Sequence, residues 1–596
     1  MNGNDREKQI QQAEEMFGDS LKQVGFAKGL YFGRYLSAKM LPYPDLHADE
    51  RVDGLLEELQ QFCASHIDPA AIDRQEDIPA DVIAGLGRLG VLGACLPTET
   101  GGLGLSQVSY CRVLEVLGSH CASTALFVNA HHSIGPRAVV LFGTPEQKAR
   151  WLPKMTTGEW ISAFALTEPE AGSDAANVQT QATPVPDGSG WVLNGQKRYI
   201  TNGALAKVLT VMARTPVPGS SDTKISAFIV TPDMPGFEVT EARMPKCGVR
   251  GTATSRLAFR DMFVPKENLL GELGRGLKVA LTVLDFGRTT FGASCTGAAK
   301  FCLARSAAHA NTRVQFGQSL GNFELVKDKL AYMAASVFAM ESMTYQTAAL
   351  IDSGSEDYML ETAMLKVFAT ERLWKIVNDA LQIHGGAGYF NDLPFERMMR
   401  DHRIDLIGEG ANDVLRAFIA LVGMRDVGLE LEGILNALKS PFGNLGRLSS
   451  FAARRIGSMI LSPEVPVRTT ELEAEAGRLG QLVGTFGAAV DRLLRKYQQE
   501  ILDRQYLQAR IADAACELYA SSCVLSRLES IVRDHHLSEE QKRRDLKVGR
   551  YYLATADRRA RQCLAELWEN DDDETTAVAD AVLAWQQAGL VQAPSP

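Results

Sequence analysis

Two changes of texture constrain this chain most, one at Ile161 and one after Gly276. From Val52 to about Met155 the apolar residues recur at helical spacing. Leu55, Leu56, Leu59 and Phe62 predict one buried helix face. A loop over Pro97–Gly104 interrupts the run, and Gly101-Gly102-Leu103-Gly104 reads as a connection between helices rather than a phosphate cradle. From Ile161 the pattern shortens. Ser162–Leu166, Trp191–Leu193, Tyr199–Thr201, Val208–Ala213 and Ile225–Val230 are rich in strand formers, Asn194-Gly195 predicts a hairpin turn, and Pro and Gly punctuate the region to about Pro265. After Gly276 the helical pattern returns and runs to about Arg425. A Pro/Gly-containing stretch follows through Ser440, Pro441 and Gly443 to Pro463 and Pro466, and then further helices that include Ala474–Tyr497 and Leu507–Val532. The expected fold class is mainly α with a central β domain. The expected divisions are a helical extension over 1–48, a helical domain over 49–160, a β domain over 161–275, a helical bundle over 276–430 and a second helical domain over 431–596.

A chain of 596 residues is too long for one core. Its net charge of −10 argues against a nucleic-acid partner. The cysteines form no CxxC pair; Cys295 and Cys302, like Cys516 and Cys523, are spaced as core residues of helices, which suits a reducing compartment. No apolar run is long enough to cross a bilayer. Met1–Lys8 lacks the apolar stretch of a secretion signal, and its acidic residues disfavour a transit peptide. His131 and His132 are adjacent, so a helix points them in different directions and packing roles are expected.

The residue that carries chemistry is Glu409, in Ile407-Gly408-Glu409-Gly410-Ala411-Asn412. The flanking glycines let the backbone bend and approach a ligand closely. A carboxylate among apolar neighbours has a raised pKa and can take a proton from a carbon acid. Asn412 is placed to cap the helix that follows. Four other motifs accompany it. Ala165-Leu166-Thr167-Glu168 runs through a Gly- and hydroxyl-rich turn to Ser173-Asp174. Asn194–Gly203 carries Tyr199 and Thr201, two apart and so on one face of a strand. Arg313-Val314-Gln315-Phe316-Gly317 offers a cation to a pyrophosphate. Gln382-Ile383-His384-Gly385-Gly386 is a Gly-rich break between helices.

In this order the motifs resemble the acyl-CoA dehydrogenase family over roughly residues 50 to 425. Phe26-Ala27-Lys28-Gly29, Pro42-Tyr43-Pro44, Gln508–Asp513 and Leu518-Tyr519-Ala520 resemble its very-long-chain branch, with a C-terminal helical extension. The resemblance implies a helical domain, a β-barrel domain and a four-helix bundle, with FAD held without a Rossmann fold. It implies that Leu166, Thr167, Ser173, Tyr199 and Thr201 contact the flavin, Tyr199 standing where many relatives have tryptophan. Arg313 and Phe316 would reach the FAD of a neighbouring subunit, and Gln382, Gly385 and Gly386 would line its ADP half, which implies a homodimer or larger. Ser173, Asp285 and Arg288 match positions near the CoA arm and the base loop. Glu324 departs from the medium-chain pattern and is not counted as a ligand.

The implied reaction is α,β-dehydrogenation of a fatty acyl-CoA to the trans-2-enoyl-CoA, the first step of β-oxidation. Glu409 would take the α proton and flavin N5 the β hydride, with the Glu409 backbone N–H and a ribityl hydroxyl stabilising the enolate. Residues 122–131 match the helix at the bottom of the acyl pocket. Ala125 and Asn129 stand where medium-chain relatives carry glutamine and an acid, so a long chain is expected. An electron-transfer flavoprotein is the implied acceptor. An acyl-CoA oxidase using oxygen and an FAD-bearing assembly or scaffold protein are the alternatives, and peroxide formation would mark the first. Segment 433–463 holds Lys439, Arg447, Arg454 and Arg455 and no acidic residue, with Leu445, Leu448, Ala452, Ile456 and Met459 at helical spacing. It reads either as a helix on the terminal bundle or as a peripheral membrane contact. The location would be cytoplasmic, on the inner membrane face, in a bacterium, or on the mitochondrial matrix side in a eukaryote.

Overall fold

The computed structural model describes residues 24–219, 222–438 and 462–589, and side chains at 433–438 are outside the description. The basic segment around Arg447 and Arg454 therefore lies outside the described residues.

The chain enters through α1 (Phe26–Tyr31) and reaches α2 (Glu50–His66). Asp49 caps α2, its side chain accepting from the Arg51 N–H. The face that α2 buries is Val52, Leu56, Leu59 and Cys63, with Leu55 and Phe62 half-buried beside it. It packs on α3 (Gln107–His120), which leads into α4 (Ala122–Asn129). His131 and His132 follow, both buried. Each ring accepts a backbone N–H, His131 from Ser162 at 3.0 Å and His132 from Cys95 at 2.9 Å, which is the packing role expected.

The β region is β1 (Ser162–Ala165), β2 (Gln181–Pro184), β3 (Gly190–Thr201), β4 (Val208–Pro216), β5 (Thr223–Val230), β6 (Phe237–Glu241), β7 (Thr254–Pro265) and β8 (Leu269–Leu270). They form one sheet in the order β6-β7-β3-β2-β4-β5-β8, with β1 parallel to β4. Asn194-Gly195 is not the turn. The β2–β3 connection closes earlier, where Val185 N–H donates to the Gly190 carbonyl at 3.0 Å. Asn194 and Gly195 make a bulge in β3 opposite β7. Asn194 is tied in both directions to Asp261, and Gly195 adopts φ +154° with no room for a Cβ against Thr180. A turn dipeptide and a bulge ask for the same residues, and tertiary pairing chooses between them.

Four long helices follow: α5 (Gly276–Thr312), α6 (Glu324–Asp352), α7 (Met359–His384) and, after the short α8 (Phe395–His402), α9 (Asn412–Leu438). α3 crosses α5 with its backbone almost in contact: a Cβ at Gly118 would strike the Ser294 backbone, and one at Gly297 would strike the Glu115 carbonyl. That close crossing carries α4 onto the 290–295 face of α5. Beyond the undescribed segment, α10 (Glu473–Tyr497), α11 (Gln505–Arg533) and α12 (Glu539–Ala565) pack on the bundle, and α13 (Asp572–Gln587) lies outside it with no buried residue. One continuous core joins the bundle to α10–α12 and includes the free cysteines Cys295, Cys302, Cys516 and Cys523. At its centre Glu517 of α11 accepts from Arg372 of α7, from Arg559 of α12 at 2.7 Å and from the Tyr552 hydroxyl at 2.8 Å. The N-terminal segment is locked on from the other side, where the Tyr31 hydroxyl donates to the Ile419 carbonyl at 2.8 Å and the Ala27 N–H to Glu361 at 2.7 Å. Among the described residues no helix is long and apolar enough to cross a membrane.

Candidate active site

Glu409 sits in the left-handed region at φ +56°, where a non-glycine residue is strained and needs its surroundings to hold it. Two buried cations do so. Arg288 Nε of α5 donates to the Glu409 carbonyl at 3.3 Å. Lys366 Nζ of α7 donates to the Gly410 carbonyl and to Asn412 Oδ1, each at 2.8 Å. Asn412 is therefore not the cap expected of it. It is the first residue of α9, and its side chain turns onto α7, Nδ2 donating to Thr370 at 3.0 Å and Glu371 at 3.2 Å. The reason is the Lys366 ammonium, which at full burial requires every acceptor in reach.

The carboxyl itself is enclosed. Asn129 Nδ2 of α4 donates to Oε1 at 3.0 Å, while Oε2 is buried with no hydrogen-bond partner. Gly287 makes room for it: a Cβ there would lie 2.8 Å from Oε2. Burial pushes the Glu409 carboxyl up to about 7; Arg288 and Lys366 oppose the rise and Asp405 adds to it. Arg288 is paired in turn with Asp285 at 3.1 Å, and Asp285 also accepts from Thr362 at 2.9 Å. Burial lifts Asp285 to about 6 against the pull of Arg288. A small cavity beside this cluster is lined by Ala125 and Asn129 of α4, by Phe291 and Cys295 of α5, and by His402 and Asp405. Ala125, Asn129, Asp285, Arg288 and Glu409 are thus brought together.

A second group lies where β1 leaves the sheet. Leu166 and Thr167 are half-buried, and the Arg198 N–H donates to the Thr167 carbonyl at 2.9 Å. Tyr199 and Thr201 point away from the buried side that Ile200 takes. They do so through a bulge, not a regular strand, since Tyr199 has φ +62° and the register against β7 shifts between Lys197 and Ile200. Tyr199 leaves 55% of its surface exposed. Beneath the loop, the fully buried Lys197 ammonium donates to Glu168 at 2.6 Å and to the Leu166 carbonyl at 3.0 Å. Glu168 in turn accepts the N–H groups of Gln179 and Thr180. This pair staples the loop from Leu166 to Thr180, and Ser173 sits exposed on its outer turn.

The remaining expected residues lie elsewhere. Arg313 follows the last turn of α5, roughly 40 Å along the helix from Arg288 at the usual rise per residue. With Phe316, 93% exposed at the tip of a hairpin (Val314–Gln315 with Gln318–Ser319), it is not brought to Glu409 of the same chain. Gln382, Gly385 and Gly386 are exposed at the end of α7, with open space where a Cβ at either glycine would project. An outward aromatic plane at Tyr199, half-buried backbone at Leu166 and Thr167, and the unfilled glycine surfaces at Gly172, Gly385 and Gly386 fit a flat cofactor with a phosphate-bearing tail.

Four supporting residues were not anticipated: Lys366, Lys197, Glu168 and Thr290, whose hydroxyl donates to Asn129 Oδ1. The signal available for the lysines was their setting. Lys366 interrupts Ala363-Met364-Leu365 and Val367-Phe368-Ala369, and a charge inside such a run needs a buried partner.

The family models agree with this geometry. The acyl-CoA dehydrogenase N-terminal domain matches residues 49–159, the middle domain 163–262 and the C-terminal domain 274–423, and the ACAD9/ACADV C-terminal domain matches 470–587. The chain is 38% identical over 537 residues to the mitochondrial very long-chain specific acyl-CoA dehydrogenase of Macaca fascicularis, covering 87% of this chain and 81% of that one. It is 33% identical over 613 residues to a probable acyl-CoA dehydrogenase of Mycobacterium bovis, covering 97% and 92%. The crystal structure of an acyl-CoA dehydrogenase complexed with FAD from Bacillus anthracis is similar with a TM-score of 0.78 at 29% identity, covering 92% of this chain and 94% of that one.

Proposed function

Because this chain belongs to the acyl-CoA dehydrogenase family and is an FAD-dependent oxidoreductase, we propose that Glu409 is the base that removes the α proton of a long-chain fatty acyl-CoA on the way to the trans-2-enoyl-CoA. The observation that carries this is the carboxyl's setting: pushed by burial to about 7, with Oε2 unpartnered and Oε1 held by Asn129, a residue that also lines a cavity. A base poised near the operating pH combines an ionised fraction with real proton affinity. Lys366 and Arg288 donate to the carbonyls of the loop, so they act on the carboxylate through space and not by a direct hydrogen bond. The Glu409 N–H is the fixed donor in this reading for the thioester oxygen as enolate charge develops. FAD, when bound, supplies the acceptor for the β hydrogen and its electron pair. Leu166, Thr167, Ser173, Tyr199 and Thr201 would hold it in one protomer. Arg313, Phe316, Gln382, Gly385 and Gly386 would hold it from a second, because the length of α5 keeps Arg313 away from its own protomer's base. A homodimer follows from that reading.

Ala125 opens the cavity at α4, which supports a preference for chains of about twelve carbons or more, each buried methylene contributing ~0.8 kcal/mol. The acceptor in this reading is an electron-transfer flavoprotein, and the site of action is the inner membrane face or the mitochondrial matrix. The test is anaerobic mixing of the FAD-bound enzyme with acyl-CoAs of four to eighteen carbons. Bleaching of the flavin that is fastest with the long chains is the expected result. Bleaching confined to butyryl- or hexanoyl-CoA would overturn the chain-length reading, and no bleaching with any chain would overturn the reaction.

A further inference from the structure

The resemblance places Asn129 at the floor of an acyl pocket, but the structure gives it a different partner. Its amide is held between the base and a hydroxyl pair: Nδ2 donates to Glu409 Oε1 at 3.0 Å, and Oδ1 accepts from Thr290 Oγ1 at 2.5 Å. Thr290 lies 3.0 Å from Ser133 Oγ, and all three supporting side chains are buried. An amide has one donor end and one acceptor end. The Thr290 hydroxyl also lies 3.1 Å from the Phe286 and Gly287 carbonyls; when it donates to Asn129 Oδ1, the donor end of the amide faces the carboxyl, and a donor facing Oε1 favours the ionised form. It also engages that oxygen, which leaves Oε2, the atom without a partner beside Gly287, as the oxygen favoured to take the proton.

We propose that Asn129, oriented by Thr290, is a positioning residue for the base: it keeps Glu409 ionised in a dry site and selects Oε2 as the oxygen that receives the α proton. This rests on the reading of Glu409 as the base. One C–H bond of the substrate breaks and one O–H bond forms at Oε2. Oε1 becomes the carbonyl oxygen of the acid and still accepts from Asn129, so the network needs no rearrangement during transfer. The other charged or titratable groups around Glu409 are Arg288 and Cys295 from α5, Lys366 from α7, and Asp405 and His402 from its own segment. On the α4 side His131 and His132 are held neutral by burial. None of these is altered by a change at 129 or 290.

The experiment is the pH dependence of flavin reduction by a saturating long-chain acyl-CoA, in stopped flow, for the FAD-bound wild type, Asn129→Leu, Thr290→Val and Glu409→Gln. Asn129→Leu removes the donor and should move the limb that reports the base upward by about one pH unit, which is about a tenfold loss of rate below it. Thr290→Val keeps volume but frees the amide to turn, and should move the limb the same way by less. A residue that only lines the pocket would change the chain-length profile and KM and leave the limb in place. If both variants bind FAD and share the wild-type limb while Glu409→Gln is inert, the inference fails and the base stands. If Glu409→Gln reduces flavin at near the wild-type rate, the base reading fails and takes this inference with it. Thr290→Val decides the matter should Asn129→Leu not fold.

Discussion

The two ends of α5 are built on opposite plans. At the Asp285–Arg288 end the polar groups are buried and, Glu409 Oε2 apart, answered from the same chain: Arg288 by Asp285, Asp285 by Thr362, the Glu409 loop by Arg288 and Lys366. At the Arg313 end nothing is enclosed, and Phe316 holds its ring 93% exposed in a left-handed turn at φ +52°. An exposed aromatic on a rigid, strained turn is costly for a lone protomer, and such features belong to sites completed by something else. In the proposed reading one end is the catalytic cluster and the other an arm that reaches a second protomer. The difference teaches that reaction chemistry and cofactor retention can be separated by mutation.

The strongest blow to the buried end is Glu409→Gln. It preserves shape and the Asn129 contact at Oε1 but cannot accept a proton. Flavin reduction should fall by about 10³-fold or more, with FAD absorbance unchanged. A drop of only a few-fold would mean that the cluster is not where the proton goes.

The same variant tests the electrostatics. The folded carboxyl at about 7 lies above its ordinary value of 4.5, so the native state holds a proton that the unfolded chain has released. Between those values stability falls as pH rises, and above about pH 7 the wild type carries the full penalty, about 3 kcal/mol. Glutamine has no such penalty. Glu409→Gln should therefore melt higher than wild type at pH 8, and the gap should close as pH falls toward 4.5. Melting curves of the two proteins that keep one constant offset from pH 5 to 8 would remove burial as the source of the shift.

At the other end, Arg313→Glu combined with Phe316→Ala should release FAD, weakening its retention about tenfold while leaving Glu409 and its pH limb untouched. Ultrafiltration and visible absorbance measure this directly. Wild-type flavin retention would erase the contrast between the two ends, and loss of the base's pH limb alongside FAD would show that they are coupled after all.

How much of this was open to reading varied with the range of the interaction. The setting of Glu409 in a bent loop was legible because its constraint is local: two glycines, an apolar pair and a loop between helices. The helices Ala474–Tyr497 and Leu507–Val532 were legible to within two residues because their periodicity is long. Asn194-Gly195 was misread because the decision between turn and bulge is made by Asp261, far along the chain. Asn412 looked like a cap until Lys366 claimed its oxygen. β6 and β7 were passed over because their exposed faces dilute the strand pattern. The staple between Glu168 and Lys197 could not be read at all. A buried lysine declares that it has a partner, but only the bulged sheet brings the two together.

The smallest expected effect tests where the buried end stops. Ala125 lines the cavity next to Asn129, yet makes no polar contact with the base. Glutamine there adds bulk to the cavity wall one turn from Asn129. If the cavity is the path of the acyl tail, Ala125→Gln should shorten the preferred chain by a few carbons. The longest substrates should lose roughly fourfold in kcat/KM for each methylene no longer buried. Octanoyl-CoA should react about as before, and the pH limb should stay where it is. An unchanged chain profile would mean that Ala125 only packs α4 against α5. A moved pH limb would mean that the base cluster extends one turn further along α4 than its hydrogen bonds indicate.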